Sequence, residues 1–282
     1  LYRIKEIKFS INMKNYRIQE FPDSRIASID VCEMGKKKHH IAALLELDVT
    51  ESRRKIRAYN RAHRGKISFT AWLINVIGKT IKRHEVVSSY LIGKKKLMVF
   101  EDINISIIVE KKLNGKKVPF PLIIEKADER SVESIAEKIS EARGQEITGH
   151  DIVLQKRTRR MERIYYVLPR LLRLLFWKYL LKHPKFAFNT MGNVAFTSIG
   201  MMGKINGWFI PISVHPICFG IGSVIKKPVV VEDKITIREI LNVSVLIDHD
   251  VIDGAPMARF VNELKENIET GSGISSEKIF SD

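Results

Sequence analysis

Apolar residues recur along this chain with two different periods. Leu241-Asn242-Val243-Ser244-Val245-Leu246-Ile247 is largely apolar and β-branched and predicts a buried strand, as do shorter runs at 41–49, 97–100, 103–109, 120–124, 195–199, 217–224 and 229–231. Between them the spacing lengthens to that of helices. Phe69, Trp72, Leu73, Val76, Ile77 and Ile81 share one helical face over 68–84, and Met257, Phe260, Val261, Leu264 and Ile268 share another over 255–269. Thr50 opens an Arg-rich helix over 50–64, Ser131 is placed to cap one over 131–142, and Pro256 falls in the first turn of the last helix. Strands interleaved with helices along one chain predict an α/β fold, a mixed β-sheet with flanking helices. With 282 residues and 45% hydrophobic content, a single large domain can bury a substantial core, and no second domain is required.

Two stretches break this alternation. In an N-terminal arm, residues 1–24, Tyr2, Ile4, Ile7, Phe9 and Ile11 predict an edge strand or packing arm, and the charges among them exclude a secretory signal. In a basic-hydrophobic stretch at about 146–185, Arg157, Arg159, Arg160, Arg163, Arg170 and Arg173 alternate with leucines and aromatics. Arg170, Arg173 and Lys178 interrupt the ~20 mostly uncharged residues a spanning helix needs. Pro169 predicts two helices meeting near Leu168-Pro169. The stretch is expected to pack on protein. The alternative is an anionic membrane surface met through 155–185, with Arg159, Arg163 and Arg170 close together on the helical projection.

A formal net charge of +16 favours anionic partners: coenzyme A with its phosphates, nucleic acid or anionic lipid. Nucleic acid is disfavoured, because the chain has no zinc spacing, no RNP-like aromatic strand and no helix-turn-helix signal. Cys32 and Cys218 stand in unrelated contexts and predict a reducing, cytoplasmic home, with a membrane-peripheral location as the alternative. No histidine pairing has metal-ligand spacing, so no metal is expected. His39-His40 after Lys36-Lys37-Lys38 reads as a solvated turn.

The most specific chemistry lies in Asp248-His249-Asp250-Val251-Ile252-Asp253-Gly254-Ala255, where one histidine at a strand end precedes an Asp-Gly corner by four residues. His249-x-x-x-Asp253-Gly254, extended by Asp248, Ala255 and Arg259-Phe260, resembles the signature of the superfamily that contains chloramphenicol acetyltransferase and the catalytic domains of the dihydrolipoyl acyltransferases of 2-oxo acid dehydrogenase complexes. Upstream, 45–50, 66–74, 86–90, 103–109, 117–119 and 127–128 follow in that family's order, so the resemblance covers about residues 25–145 and 186–270. It implies a chloramphenicol acetyltransferase-like fold for 25–282, with 146–185 as an insert. No lipoyl domain, peripheral subunit-binding domain or covalently attached lipoyl group is expected in the chain. An acyl-CoA, or an acyl group on a separate lipoyl or acyl-carrier protein, would be the donor.

The resemblance also assigns roles. His249 is the base that deprotonates the acceptor thiol or hydroxyl; imidazole suits this work because its ordinary pKa lies near 6.5. Ser198 in Phe196-Thr197-Ser198 is the hydroxyl that stabilises the tetrahedral oxyanion, with Thr197 as the register alternative. Asp253 supports the turn by accepting backbone or guanidinium hydrogen bonds, with Arg25 as its candidate partner. Asp250 departs from the arginine common in the dihydrolipoyl enzymes. Gly200, Gly203 and Gly207 predict a flexible hairpin beside a substrate channel. The family's histidine meets its hydroxyl donor across a trimer interface, which implies a homotrimer or a higher assembly of trimers. The competing function is a noncatalytic oligomeric scaffold or regulatory relative, which need not keep both His249 and Ser198.

Overall fold

Two 15-residue strands, β7 (Ile217–Val231) and β8 (Lys234–Asp248), form the longest hairpin of the computed structural model, which describes residues 16–19, 21, 24–63, 67–113, 116–144, 165–200 and 203–274. Their two-residue turn places Glu232 and Asp233 at φ 49° and 60°, the left-handed geometry that matches the twist of paired strands. Around this hairpin the sheet is completed by β1 (His40–Asp48), β4 (Ile105–Leu113), β5 (Lys116–Ile124) and β6 (Val194–Ser198) in the order β1-β8-β7-β6-β4-β5. β6 runs parallel to both β4 and β7, and the other pairings are antiparallel, so the sheet is mixed as expected. β2 (Tyr90–Ile92) and β3 (Lys96–Met98) form a separate two-stranded ribbon.

Helices cover one face of the sheet. α2 (Thr50–Ala62), α3 (Phe69–Arg83), α4 (Val132–Gly144) and α7 (Gly254–Thr270) bury Ile56, Trp72, Ile77, Ile135, Phe260 and Leu264 against Phe196, Phe219, Val243 and Val245. α3 is apolar nearly all round and accordingly central. Ser68 caps it by accepting from Ala71 N–H at 3.1 Å, and Ser131 accepts from Ser134 N–H at 3.1 Å before α4, as its position predicted.

Among the described residues no helix packs on the opposite face. Residues 203–216 form no strand and run as a strap over β7 and β8: Ser223 Oγ donates to the Gly203 carbonyl (2.6 Å), Asn242 Nδ2 to that of Gly207 (3.2 Å) and Ser244 Oγ to that of Phe209. Gly220 permits this close approach, because a Cβ there would collide with the Phe209 carbonyl and Ser244 Oγ. The expected hairpin is therefore a strap held by strand side chains. Its outer surface is apolar, with Ile205, Trp208, Phe209, Ile210 and Ile212 exposed on the same side of the sheet as the exposed Leu44 of β1.

In the basic stretch, Pro169 is the N-cap of α5 (Arg170–Lys182), which is followed by α6 (Pro184–Met191) and preceded by a helical turn at 165–167. α5 packs on α1 (Ser24–Gly35) through charge as well as apolar surface. Arg173 Nε meets the buried Asp30 carboxylate at 2.7 Å, the Tyr165 hydroxyl donates to the same oxygen at 2.6 Å, and Arg170 pairs with Glu33 at 2.7 Å. Arg170 is thus engaged within the chain, which removes it as a free contact for lipid. Arg159 and Arg163, like the arm residues Tyr2 to Ile11, lie outside the described residues. Among the described residues no helix is long and apolar enough to cross a membrane.

Candidate active site

β8 ends at Asp248, and the chain turns so that Val251 N–H reaches the Asp248 carbonyl at 3.1 Å. His249 stands exposed at the apex, and its amide donates to the His39 carbonyl at 3.0 Å, which continues the β1–β8 ladder by one residue. The turn is held from both sides. Inside, Asp248 is 1% exposed and accepts from Lys38 Nζ at 2.7 Å; outside, His39 Nδ1 and the Asp250 carboxylate lie 2.9 Å apart. The hydrogen bond to Asp250 raises the His39 pKa, with the Asp250 charge acting in the same direction.

Behind the turn lies a second polar cluster. His40 Nε2 donates to the His215 carbonyl at 2.9 Å, and burial pulls its pKa down. His215 Nε2 lies 3.0 Å from the Met191 carbonyl and Nδ1 lies 3.1 Å from Ser213 Oγ. A carbonyl only accepts, so Nε2 carries the proton and Nδ1 accepts from the serine hydroxyl. Desolvation pushes the His215 pKa down to about 4 and that of the adjacent Cys218 thiol up to about 12. Both side chains are therefore neutral at pH 7, and this cluster buttresses the sheet end.

Asp253 lies just beyond the turn. It is the exposed N-cap residue of α7, and its side chain makes no capping hydrogen bond; only its carbonyl is engaged, by Met257 N–H at 3.2 Å. Arg25 is exposed on α1 beside a cleft lined by Ser28, Cys32, Lys36 and Arg170, and among the described residues nothing joins it to Asp253. Asp248 holds the corner instead. Sequence reasoning matched Asp248 to a motif without giving it this role, and read His39-His40 after Lys36-Lys37-Lys38 as a solvated turn; no local signal announces that Lys38 folds back onto a carboxylate 210 residues away.

Ser198 and Thr197 sit at the far end of β6, on opposite faces. Ser198 follows the buried Val194 and Phe196 on the helix-covered side and is exposed, whereas Thr197 is half-buried in a row with Gly220 and Ser244 on the side of the strap. The register fixes their relation to the histidine. Ser198 is opposite Ile221 and Ile221 opposite Val243, six residues short of His249. At about 3.3 Å per residue this is about 20 Å along the strands, with two interstrand steps of about 4.8 Å besides. Within one chain His249 and Ser198 do not meet.

Residues 24–150 and 185–274 match the family model of the 2-oxoacid dehydrogenases acyltransferase (catalytic domain). α5 falls in the gap between the two matched parts. The chain is 24% identical over 264 residues to the lipoamide acyltransferase component of the branched-chain alpha-keto acid dehydrogenase complex of Bacillus subtilis, covering 89% of this chain and 52% of that protein. It is 25% identical to the dihydrolipoyllysine-residue acetyltransferase component of the pyruvate dehydrogenase complex of Mycoplasma genitalium, covering 85% of this chain and 55% of that protein. The chain thus spans about half the length of these curated relatives. Among solved structures, a probable dihydrolipoamide acetyltransferase from Listeria monocytogenes shares the fold, with a TM-score of 0.66, 22% identity and coverage of 94% and 97% of the two chains. A truncated catalytic core of the 2-oxoacid dehydrogenase multienzyme complex from Thermoplasma acidophilum superposes with a TM-score of 0.59 at 20% identity, over 91% of this chain and 100% of that one.

Proposed function

The chain belongs to the 2-oxoacid dehydrogenases acyltransferase (catalytic domain) family, and from that premise we propose that it transfers an acyl group between a coenzyme A thioester and a thiol acceptor of the dihydrolipoyl type, or another acceptor, at sites shared between subunits of a trimer. The carrying observation is the placement of an exposed, backbone-clamped His249 just beyond β8 and an exposed Ser198 at the end of β6, about 20 Å away along the strands of the same chain. A trimeric arrangement would bring the histidine of one subunit to the hydroxyl of the next. The exposed apolar strap, with Leu44 on the same face, supports such an assembly, since exposed patches of this kind mark protein interfaces. Among proteins of the same fold is the cubic core of the pyruvate dehydrogenase multienzyme complex, at 18% identity.

In the proposed reaction His249 accepts the proton of the acceptor thiol, and the thiolate attacks the thioester carbonyl carbon. A hydroxyl of the Ser198–Thr197 pair, Ser198 first by its exposure, donates to the oxyanion. Collapse breaks the C–S bond to coenzyme A, whose thiolate takes the proton back from the imidazolium. For the Azotobacter vinelandii dihydrolipoamide acetyltransferase, which has the same fold at 18% identity, the roles of a serine, a histidine and an asparagine in the catalytic mechanism have been investigated. Ser198 and His249 are the counterparts proposed here for the first two.

The test is thiol release from acyl-CoAs of increasing chain length, with free dihydrolipoamide and alternative acceptors, in the wild type and in His249→Ala. Turnover that vanishes in a folded His249→Ala supports the mechanism. A wild type inert with every pair supports the noncatalytic scaffold, and full turnover in the variant removes His249 as the base.

A further inference from the structure

The His249 turn is fastened to the rest of the molecule by one buried ion pair that the proposed chemistry does not itself use. Lys38 Nζ lies 2.7 Å from Asp248 Oδ2, with the lysine side chain 20% exposed and the aspartate 1%. The pair joins two places far apart in sequence: the connection from α1 into β1, and the last residue of β8. Asp248 is also the hub of the turn. Its amide donates to the Pro216 carbonyl at 2.9 Å, its carbonyl accepts from Val251 N–H at 3.1 Å, and its second carboxylate oxygen lies 3.4 Å from the Asp250 amide. His249 is therefore flanked by a fixed residue on one side and by Asp250, tied to His39, on the other.

We propose that Lys38 is a positioning residue for the base: its ammonium fixes the buried Asp248 carboxylate, so that His249, the next residue, projects from one turn geometry, and it offsets the aspartate's charge at the turn. This rests on the reading of His249 as the base. The charged and titratable groups around the turn are Lys38, His39 and His40 from the α1–β1 connection, Asp248, Asp250 and Asp253 from β8 and the turn itself, and His215 from the strap before β7. Lys38 and Asp248 are the buried, opposite-charged members of this set in direct contact, and Asp248 is the covalent neighbour of His249. Removal of the ammonium alone leaves an uncompensated buried carboxylate one residue before His249, and added negative charge at the turn favours the protonated ring, in which form it is no base. Removal of the carboxylate alone leaves a cation there and favours the neutral ring.

The experiment is an NMR titration of the His249 ring in the full chain, assigned with His249→Ala, alongside the pH profile of kcat/KM. Lys38→Met should move the His249 titration midpoint, and the acidic limb of the profile, upward. Lys38→Arg should leave both in place, Asp248→Asn should move them downward, and Lys38→Met/Asp248→Asn should return them toward wild type while kcat stays lowered by the loosened turn. A folded Lys38→Met protein with an unmoved midpoint overturns the proposal, as does a Lys38→Arg protein that behaves like Lys38→Met. If Lys38→Met does not fold, Asp248→Asn carries the test, and an unmoved midpoint there overturns it. The titration is read without turnover, so a wild type that transfers no acyl group would defeat the acyltransferase reading and leave this result standing.

Discussion

Replacement of Arg173 by Met tests whether α5 is locked to the domain by charge. Asp30 and Arg173 are 1% and 12% exposed, the guanidinium also donates to the Leu168 carbonyl at 2.6 Å, and the second oxygen of Asp30 has no hydrogen-bond partner. Removal of one member of a buried pair typically costs about 3–5 kcal/mol, because the other charge remains in a poorly solvating environment. Here the Tyr165 hydroxyl, 2.6 Å from the same Asp30 oxygen, still serves the carboxylate, and a hydrogen bond to a charged group contributes about 1.5–3 kcal/mol. Methionine also keeps much of the apolar stem of arginine. The expected loss is therefore about 2–3 kcal/mol. With a slope of about 3 kcal/mol per molar, this is a urea midpoint lowered by roughly 1 M at fixed protein concentration. Arg173→Met/Asp30→Asn should recover at least half of that loss. A loss under about 0.5 kcal/mol for Arg173→Met would show that the pair is not closed in solution, and would return Arg173 to the pool of free surface cations.

Three further outcomes follow from the same geometry. The folded pKa of His215 is near 4 against 6.5 when unfolded, so the unfolded chain binds more protons between those values and stability falls as pH drops through that window; the urea midpoint should decline by about 1–2 kcal/mol equivalent from pH 7.5 to 5, and His215→Gln should flatten that decline, whereas an equal decline in the variant would exclude His215 as its source. Asp253→Ala should change unfolding stability by less than about 0.5 kcal/mol, because its exposed carboxylate makes no cap bond, while Asp248→Ala should cost several times more by leaving Lys38 unpaired; the reverse order would restore Asp253 as the corner's anchor. Gly220→Val should fold poorly or lose the strap, read as increased proteolysis within 203–212, since its side chain would strike the Phe209 carbonyl; unchanged protection would contradict the strap's path.

The core elements were legible because their signals are local. The helical spacing of Phe69, Trp72, Val76 and Ile77 and the apolar, β-branched run at 241–247 both mark segments buried in the core, and local sequence records that directly. The length of β7 and β8 was not. Val229–Val231 and 217–224 read as separate strands and 234–240 was missed, because the distal hairpin is exposed on both faces, with Val230, Ile235 and Ile237 in the open, and Pro228 interrupts the pattern. Of the candidate site, His249 could be found from a motif, but its setting comes from Lys38, His39 and His215, which reach the turn only through strand pairing and the strap. The absence of an Arg25–Asp253 contact has the same origin: a pair suggested by position requires tertiary placement that spacing does not encode.

Sharing of the site between subunits can be measured by complementation. His249→Ala and Ser198→Ala proteins, each inactive alone, are mixed under conditions where subunit exchange is demonstrated by fluorescence transfer, and acyl transfer is followed. With the two groups about 20 Å apart along the strands of one chain, mixed assemblies should regain part of wild-type activity, because some of their interfaces pair an intact histidine with an intact hydroxyl. Parallel mixing with Thr197→Val identifies which of the two hydroxyls is the donor. Demonstrated exchange with no recovered activity from either mixture would contradict a site built across subunits.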